Sequence, residues 1–513
     1  MVAASHPLAA QAGLEVLRKG GNAVDAAVAA AAALTVVEPC SNGIGGDAFA
    51  LVWREGKLTG LNASGPAPRA LTAERLTSAG HRAVPRFGWA PVTVPGAPAA
   101  WAELSRRFGR VSLAAALAPA IELAREGHPV APTAAWNWRR AAEVYARELK
   151  GEQFAWWFET FTVAGKAPGP GKLWRAPWHA ATLDAIAGSG ARDFYEGDLA
   201  DRLVRFAART GGFMAKEDLA RFSPQWVEPV SVRYRGYDVW EIPPNGQGLV
   251  ALMALAILEG FRFPEWPSVV TVHRQLEAMK LAFADGRKYI TDSRMMPVEV
   301  RDLLSAAYAA RRRALVGDRA GEAAPGRPPD EGTVYLATAD REGNMVSYIQ
   351  SNYQGFGSGL VVPETGIALQ NRGLSFSLDP ADVNYLLPGK KPYHTIIPGF
   401  LTRDGDAVGP FGVMGGYMQP QGHVQVIANL LDYHLNPQAA LDAPRWQWLE
   451  GKRVLVERRL PEHIAQGLAG RGHEVEVAGE AESFGRGQII WRLPSGVLAG
   501  ATEPRTDGAV AAW

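Results

Sequence analysis

The sequence predicts an α+β protein whose helices and strands come in separate runs and stack as layers. Helix-period segments dominate residues 1–330, and after residue 333 the chain turns to strands joined by short turns. The strict strand–helix alternation of a parallel doubly wound sheet is missing. No repeat of fixed period is visible. With 513 residues, 47% of them hydrophobic, the chain can build one large core or two to three smaller ones.

Taken in order, "PLAAQAGLEVLRKGG" reads as a helix closed by glycine, and "NAVDAAVAAAAALTVV" as a buried helix, Ala-rich because it packs closely. "AFALVW" is a short strand. "PGAPAAWAELSRRFG", "SLAAALAPAIELAREG" and "KEDLARF" read as helices. "VSVRYRGYDVWEIP" has hairpin character around Arg235-Gly236. "GLVALMALAILEGF" and "SVVTVHRQLEAMKLAFADGRKYI" are again helical. Beyond them, "TVYLATAD-REG-NMVSYIQS" and "GLVVP-ETG-IALQN" read as hairpins. "PGFLTRDGDAVGPFGVMGG" continues the strand pattern before the helix "QGHVQVIANLLDYHL". "RVLVERRLPEHIAQGLAGRGHEVEVAG" closes as strand, helix, strand.

Net charge is +1 with both signs scattered, which argues against nucleic acid or an anionic membrane as a partner recognised by bulk charge. A small anionic substrate stays open. The single cysteine, Cys40, excludes an intrachain disulfide. The N-terminal segment lacks the order of a signal peptide, its basic pair Arg18-Lys19 falling between helices. The Ala-rich run is too short and too interrupted to span a membrane. A cytoplasmic protein is expected.

"GIGGDA", residues 43–48, has the spacing of a dinucleotide loop but follows a helix and leads into a strand. That context is inverted, and close backbone approach explains the glycines better. No His-x-x-x-His pair sits on a helix and Cys40 has no cysteine partner, so neither metal nor cofactor is expected. A G-x-S-x-G nucleophile elbow is absent. His394 and His423 can each be satisfied core or loop groups, His423 above all. In "FGVMGGYMQPQG" the Gly-Gly step can aim successive N–H groups into one cavity, as an oxyanion hole requires, or be a plain strand-to-helix turn.

Thr333 stands apart. It begins a strand, follows Gly332, and ends the Pro-, Gly- and charge-rich run "VGDRAGEAAPGRPPDEG". A threonine hydroxyl becomes a useful nucleophile when its own freed α-amine serves as base, and cutting Gly332–Thr333 would create that amine.

Together these segments resemble the gamma-glutamyltransferase family of N-terminal-nucleophile hydrolases. The resemblance runs through "ASHPLAAQAGLEVLRKGGNAVDAAVAAAAALTVVEPCSNGIGGDAF", "VTVPGAPAAW", "NGQGLVALMAL", "YITDSR", "DEGTVYLATADREGNMVSYIQS", "GFGSGLVVPETGIALQN", "VMGGYMQPQGHVQV" and "ALDAPRW". It implies a four-layer αββα sandwich made as one precursor. Self-cleavage before Thr333 would give residues 1–332 and 333–513, which stay together as a heterodimer. It further implies Gly415 and Gly416 as oxyanion-hole amides. Ser351 takes the place of a second threonine that hydrogen-bonds the nucleophile.

The head-group readers differ from the family pattern. Pro66 follows Ser64-Gly65 where the family has its glutamate-binding arginine, and Ser375 replaces its acidic residue. His394-Thr395 replaces its Ser-Ser pair, and Val334 a frequent second threonine. Arg372 suits bidentate carboxylate binding, the alternatives being an ion pair or a structural fork to carbonyls. The pattern is closest to the amidohydrolase branch, with oxamate amidohydrolase-like and acylase-like members. The expected activity is cleavage of a small carboxylate-bearing amide, with water or an amine as acceptor. The alternatives are a gamma-glutamyl hydrolase or transferase for glutathione-like donors, and an uncleaved scaffold.

Overall fold

The computed structural model describes residues 1–264, 266–322 and 333–513. Two antiparallel sheets lie face to face. The first has seven strands in the order Ala509–Ala511, Val2–Ala4, Val334–Ala339, Met345–Ser351, Asp47–Arg54, Lys57–Ala63 and Gln225–Val227. The second has six, in the order Leu498–Thr502, Arg486–Arg492, Asp406–Met414, Gly399–Arg403, Tyr237–Glu241 and Val230–Tyr234. Both sheets draw strands from both sides of the Gly332–Thr333 step.

The apolar faces of the sheets meet in a shared core that includes Phe49, Leu51, Tyr335, Phe400 and Met414. Helices cover the outer faces, Pro7–Arg18 and Ala23–Val37 on the first sheet, Gly248–Glu259 and Met418–Leu431 on the second. This is the αββα sandwich, four layers thick.

Every residue of Ala23–Val37 is buried. Its small side chains let it pack closely between the sheet and the helices Pro7–Arg18 and Leu113–Glu126. Asn22 caps it, and Asp25 reaches back to the Asn22 N–H at 2.9 Å. Among the described residues, no helix is long and apolar enough to cross a membrane.

The Arg235-Gly236 hairpin forms as expected, with both residues at positive φ, 50° and 85°. Asp404 and Gly405 repeat that turn between the strands Gly399–Arg403 and Asp406–Met414, at 52° and 87°. The hairpin "GLVVP-ETG-IALQN" forms too: Val361 bridges Ala368, Val362 N–H donates to the Ile367 carbonyl at 3.0 Å, and Leu369 N–H donates to the Leu360 carbonyl at 2.9 Å. Its second arm also bonds outward: Leu369 bridges Gly45, and Gln370 N–H donates to the Gly45 carbonyl at 3.1 Å. The expected helix at Gln421 starts earlier, at Met418. Pro420 falls in its first turn, where a missing N–H costs nothing.

Gly412 fixes how the sheets stack. A Cβ there would lie 2.4 Å from the Tyr335 ring, so only glycine lets that ring cross. Tyr335 is two residues after Thr333, and Gly412 is three before Gly415. The packing therefore brings the start of one strand toward the end of the other.

Candidate active site

Strand register builds the site. Gln350 pairs with Val334, which sets Ser351 opposite Thr333. On its other side Ser351 pairs with Asp47, and Ala48 pairs with Ala63, so Asp47 faces Ser64. Thr333, Ser351, Asp47 and Ser64 thus form one polar row across neighbouring strands, all essentially buried. The Thr333 hydroxyl donates to Ser351 Oγ at 3.1 Å, and the Tyr353 N–H donates to the same oxygen at 2.8 Å. Tyr353 reaches this position at φ 78°, in the left-handed region that side chains other than glycine rarely occupy.

The Arg372 guanidinium lies over the Tyr353 ring, 4.0 Å from its centroid, and donates to Thr395 Oγ1 at 2.7 Å. Arg372 is fully buried. A desolvated cation on an aromatic face gains roughly 2 kcal/mol, which helps hold the guanidinium there. Ser375 shares the Arg372–Ser375 turn, and its Oγ is buried without a hydrogen bond among the described residues.

His394 faces Asp47, with Nε2 3.1 Å from Oδ2. Its Nδ1 accepts the Ile396 N–H at 3.4 Å, so Nε2 carries the proton and donates to the carboxylate. Burial, then the neighbouring charges of Arg372 and Lys391, hold the imidazole well below its usual pKa, so it is neutral. Burial pushes the Asp47 carboxyl up to about 7, while Gln370 Nε2 at 2.9 Å and the Gly65 N–H at 3.2 Å pull the other way.

Gly415 and Gly416 lie between the strand Asp406–Met414 and the helix Met418–Leu431. Their φ values, 130° and 56°, are ones that glycine adopts without strain. The turn's hydrogen bonds run to its carbonyls. Gly415 O accepts from Met418 N, and Gly416 O accepts from Gln419 N at 3.1 Å and Gln247 Nε2 at 2.8 Å. Gln247 Nε2 also donates to the Thr395 carbonyl at 2.7 Å. A continuous path thus joins Thr333, Ser351, Tyr353, Arg372, Thr395, Gln247 and Gly416. Gly332 lies outside the described residues.

A family model described as gamma-glutamyltranspeptidase matches residues 9–513. The chain belongs to the gamma-glutamyltranspeptidase family. It is 38% identical to the glutathione hydrolase-like YwrD proenzyme of Bacillus subtilis, over 99% of this chain and 97% of that protein. It is 37% identical to the oxamate amidohydrolase proenzyme of Klebsiella pneumoniae, over 100% and 98%. Among solved structures, it superposes on a cephalosporin acylase from Bacillus halodurans with a TM-score of 0.97 and 59% identity, over 100% of this chain and 95% of that one. It is an N-terminal-nucleophile hydrolase of that family.

For this gamma-glutamyltranspeptidase family member, sequence reasoning missed Asp47, Tyr353, Gln370 and Gln247. "GIGGDA" carried the nearest signal. None of Gly43, Gly45 and Gly46 has a positive φ. A Cβ on Gly45 would meet the Ala368 carbonyl oxygen at 2.3 Å, and one on Gly46 the Ser351 carbonyl oxygen at 2.5 Å. The loop needs glycines because it presses against the site, and it delivers Asp47 there. His423 is a core group, paired with Glu241 at 2.6 Å.

Among the described residues, one group has metal-ligand types converging: His273, Glu277 and His473. Its ligand atoms are already paired. His273 Nδ1 is 2.8 Å from His473 Nε2, and Lys280 Nζ donates to Glu277 Oε1 at 2.7 Å. A resident ammonium already occupies the cation's place beside the carboxylate. The cluster instead holds the segment before residue 323, through Gly317 O on His273 Nε2 and the Gly321 N–H on Glu277 Oε2.

Proposed function

We propose that the chain cuts itself between Gly332 and Thr333 into residues 1–332 and 333–513. The product then hydrolyses small amides whose acyl part carries a carboxylate. The observation that carries this reading is the Thr333 hydroxyl, buried at a strand start and hydrogen-bonded to Ser351 Oγ at 3.1 Å. In the precursor, Thr333 Oγ attacks the Gly332 carbonyl and the acyl group moves to oxygen. The C–N bond breaks in that shift and frees the α-amine, and water then hydrolyses the ester, releasing the Gly332 carboxylate and restoring the Thr333 hydroxyl. In turnover that amine takes the hydroxyl proton as Oγ attacks the substrate carbonyl. The Gly415 and Gly416 N–H groups stabilise the tetrahedral oxyanion. As the intermediate collapses, the C–N bond breaks and the leaving amine takes the proton back from the Thr333 ammonium. Water then resolves the acyl-enzyme to the acid, and an amine acceptor would convert hydrolysis to transfer.

Arg372 would hold the substrate carboxylate, with Thr395, Ser375 and His394 around it. A gamma-glutamyl donor also brings an α-ammonium, whose burial needs an anionic partner. Asp47 is the nearby candidate in the row, but Gln370, Gly65 and His394 already engage both its oxygens. The relatives named oxamate amidohydrolase and cephalosporin acylase support this choice, while the glutathione hydrolase-like relative keeps gamma-glutamyl donors as the second reading. The test is kcat/KM across glutaryl, oxamate-like and gamma-glutamyl amides with processed enzyme. Amides lacking the α-amino group should be preferred, and a clear preference for gamma-glutamyl donors would reverse the assignment.

A further inference from the structure

A cavity of about 220 Å³ opens beyond the Ser64-Gly65 turn, bounded by Pro66, Gln225 and Gly389. Four cations line it, Arg69, Arg221, Arg294 and Lys391, against two carboxylates, Glu217 and Asp218. Asp218 is committed to backbone, accepting from Arg69 N at 3.1 Å and Ala215 N at 3.0 Å. Arg294 is committed to Asp292 at 2.6 Å. Arg69, Arg221 and Lys391 form no ion pair among the described residues. Arg69 and Arg221 are exposed at the mouth.

Lys391 is the inner group. Its ammonium donates to Gln225 Oε1 at 3.0 Å and Asn62 Oδ1 at 3.4 Å, both neutral oxygens. An ammonium has three N–H donors, so one remains to face a ligand. Burial pulls its pKa down to about 8, with Arg294 adding to the pull and the carboxylates of Asp292 and Asp47 opposing it, a cost that a bound anion would offset further. Asn62 Oδ1 also accepts from Ser64 Oγ at 2.7 Å, so the pocket wall continues into the polar row that carries Asp47.

We propose that this cavity binds a small oxyanion-bearing molecule, a carboxylate or a phosphate, with Lys391 at its inner wall and Arg69 and Arg221 at its mouth. The anion is either a remote carboxylate of the substrate or a free anion. The inference does not rest on the substrate assignment above, because its probes are anions that the enzyme does not cleave.

The experiment titrates inorganic phosphate, sulfate and glutarate into wild type, Lys391→Met and the double variant Arg69→Ala/Arg221→Ala, by calorimetry at low ionic strength. Saturable binding to wild type is expected, at least tenfold weaker in each variant and weaker as pH rises from 7 to 10. Kinetics then separate the two sources. If the anion belongs to the substrate, the double variant raises KM for amides with a remote carboxylate at least tenfold more than for neutral counterparts. If it is free, the two KM values move together while phosphate binding is lost. Should Lys391→Met fail to fold, the double variant at exposed positions carries the test. No saturable binding of any probe to wild type, or binding unchanged in the folded variants, would overturn the proposal.

Discussion

Gln247 and Gly416 are joined by a hydrogen bond of 2.8 Å, and the same amide nitrogen holds the Thr395 carbonyl at 2.7 Å. Gln247 is fully buried, so one side chain couples the glycine turn to the loop beneath Arg372. Gln247→Met keeps the volume and removes both bonds. The turn can then drift, and misplacement near a reacting centre costs up to about 10²-fold. We expect kcat to fall by roughly ten- to a hundredfold with KM changing much less. A KM-dominated effect, measured in folded and processed protein, would assign Gln247 to binding instead.

Ser351 accepts from both Thr333 Oγ and Tyr353 N. Ser351→Ala removes that acceptor. A neutral hydrogen bond is worth about 1 kcal/mol, so self-cleavage and turnover should slow by roughly five- to tenfold. Ser351→Thr, which restores the hydroxyl, should recover most of the loss. Single-turnover rates of both variants decide the point.

Arg372 is buried against the Tyr353 ring and bonded to Thr395. Lysine cannot reproduce a planar fork. Arg372→Lys should raise KM for carboxylate-bearing amides by about 1–3 kcal/mol of binding, the worth of a charge-assisted bond. Michaelis curves for acid and neutral amide pairs measure it. An unchanged KM for the acid substrates would show that Arg372 is structural.

His179 is buried, and desolvation pulls its imidazole down to about 4. Below about 6.5 the unfolded chain takes up a proton that the folded protein refuses. Its contribution is therefore fully present above 6.5 and is lost as pH falls toward about 4. The drop corresponds to about 3 kcal/mol. His6 and His128, also pulled down to about 4, act in the same window. His179→Leu should lose less stability than wild type between pH 7 and 4.5, read from urea unfolding at each pH. Parallel pH curves for the two proteins would refute this.

The layers were legible because buried helices and alternating strands leave periodic patterns, as in Ala23–Val37 and the hairpin Val334–Ala339/Met345–Ser351. Thr333 stood out because its chemistry is written locally, in a Gly-Thr step before a strand. Asp47 was hidden. Its partner His394 is 347 residues away, and only strand register sets Asp47 beside Ser351. Gln247 was hidden for a similar reason, since its amide nitrogen donates to the Thr395 and Gly416 carbonyls, which carry no residue-type signal. The hairpin around Val361 and Ala368 was legible from its alternation and turn, whereas the further bond from Gln370 N–H to the Gly45 carbonyl carries no residue-type signal.

Trapping the acyl-enzyme tests the central claim most directly. Processed enzyme is quenched in acid during turnover of a glutaryl or oxamate-like amide, and its peptides are mapped by mass. The account predicts a peptide that begins at Thr333 and carries the acyl group on that residue. An acyl group on any other residue, or no peptide with a new N-terminus at Thr333, would contradict it.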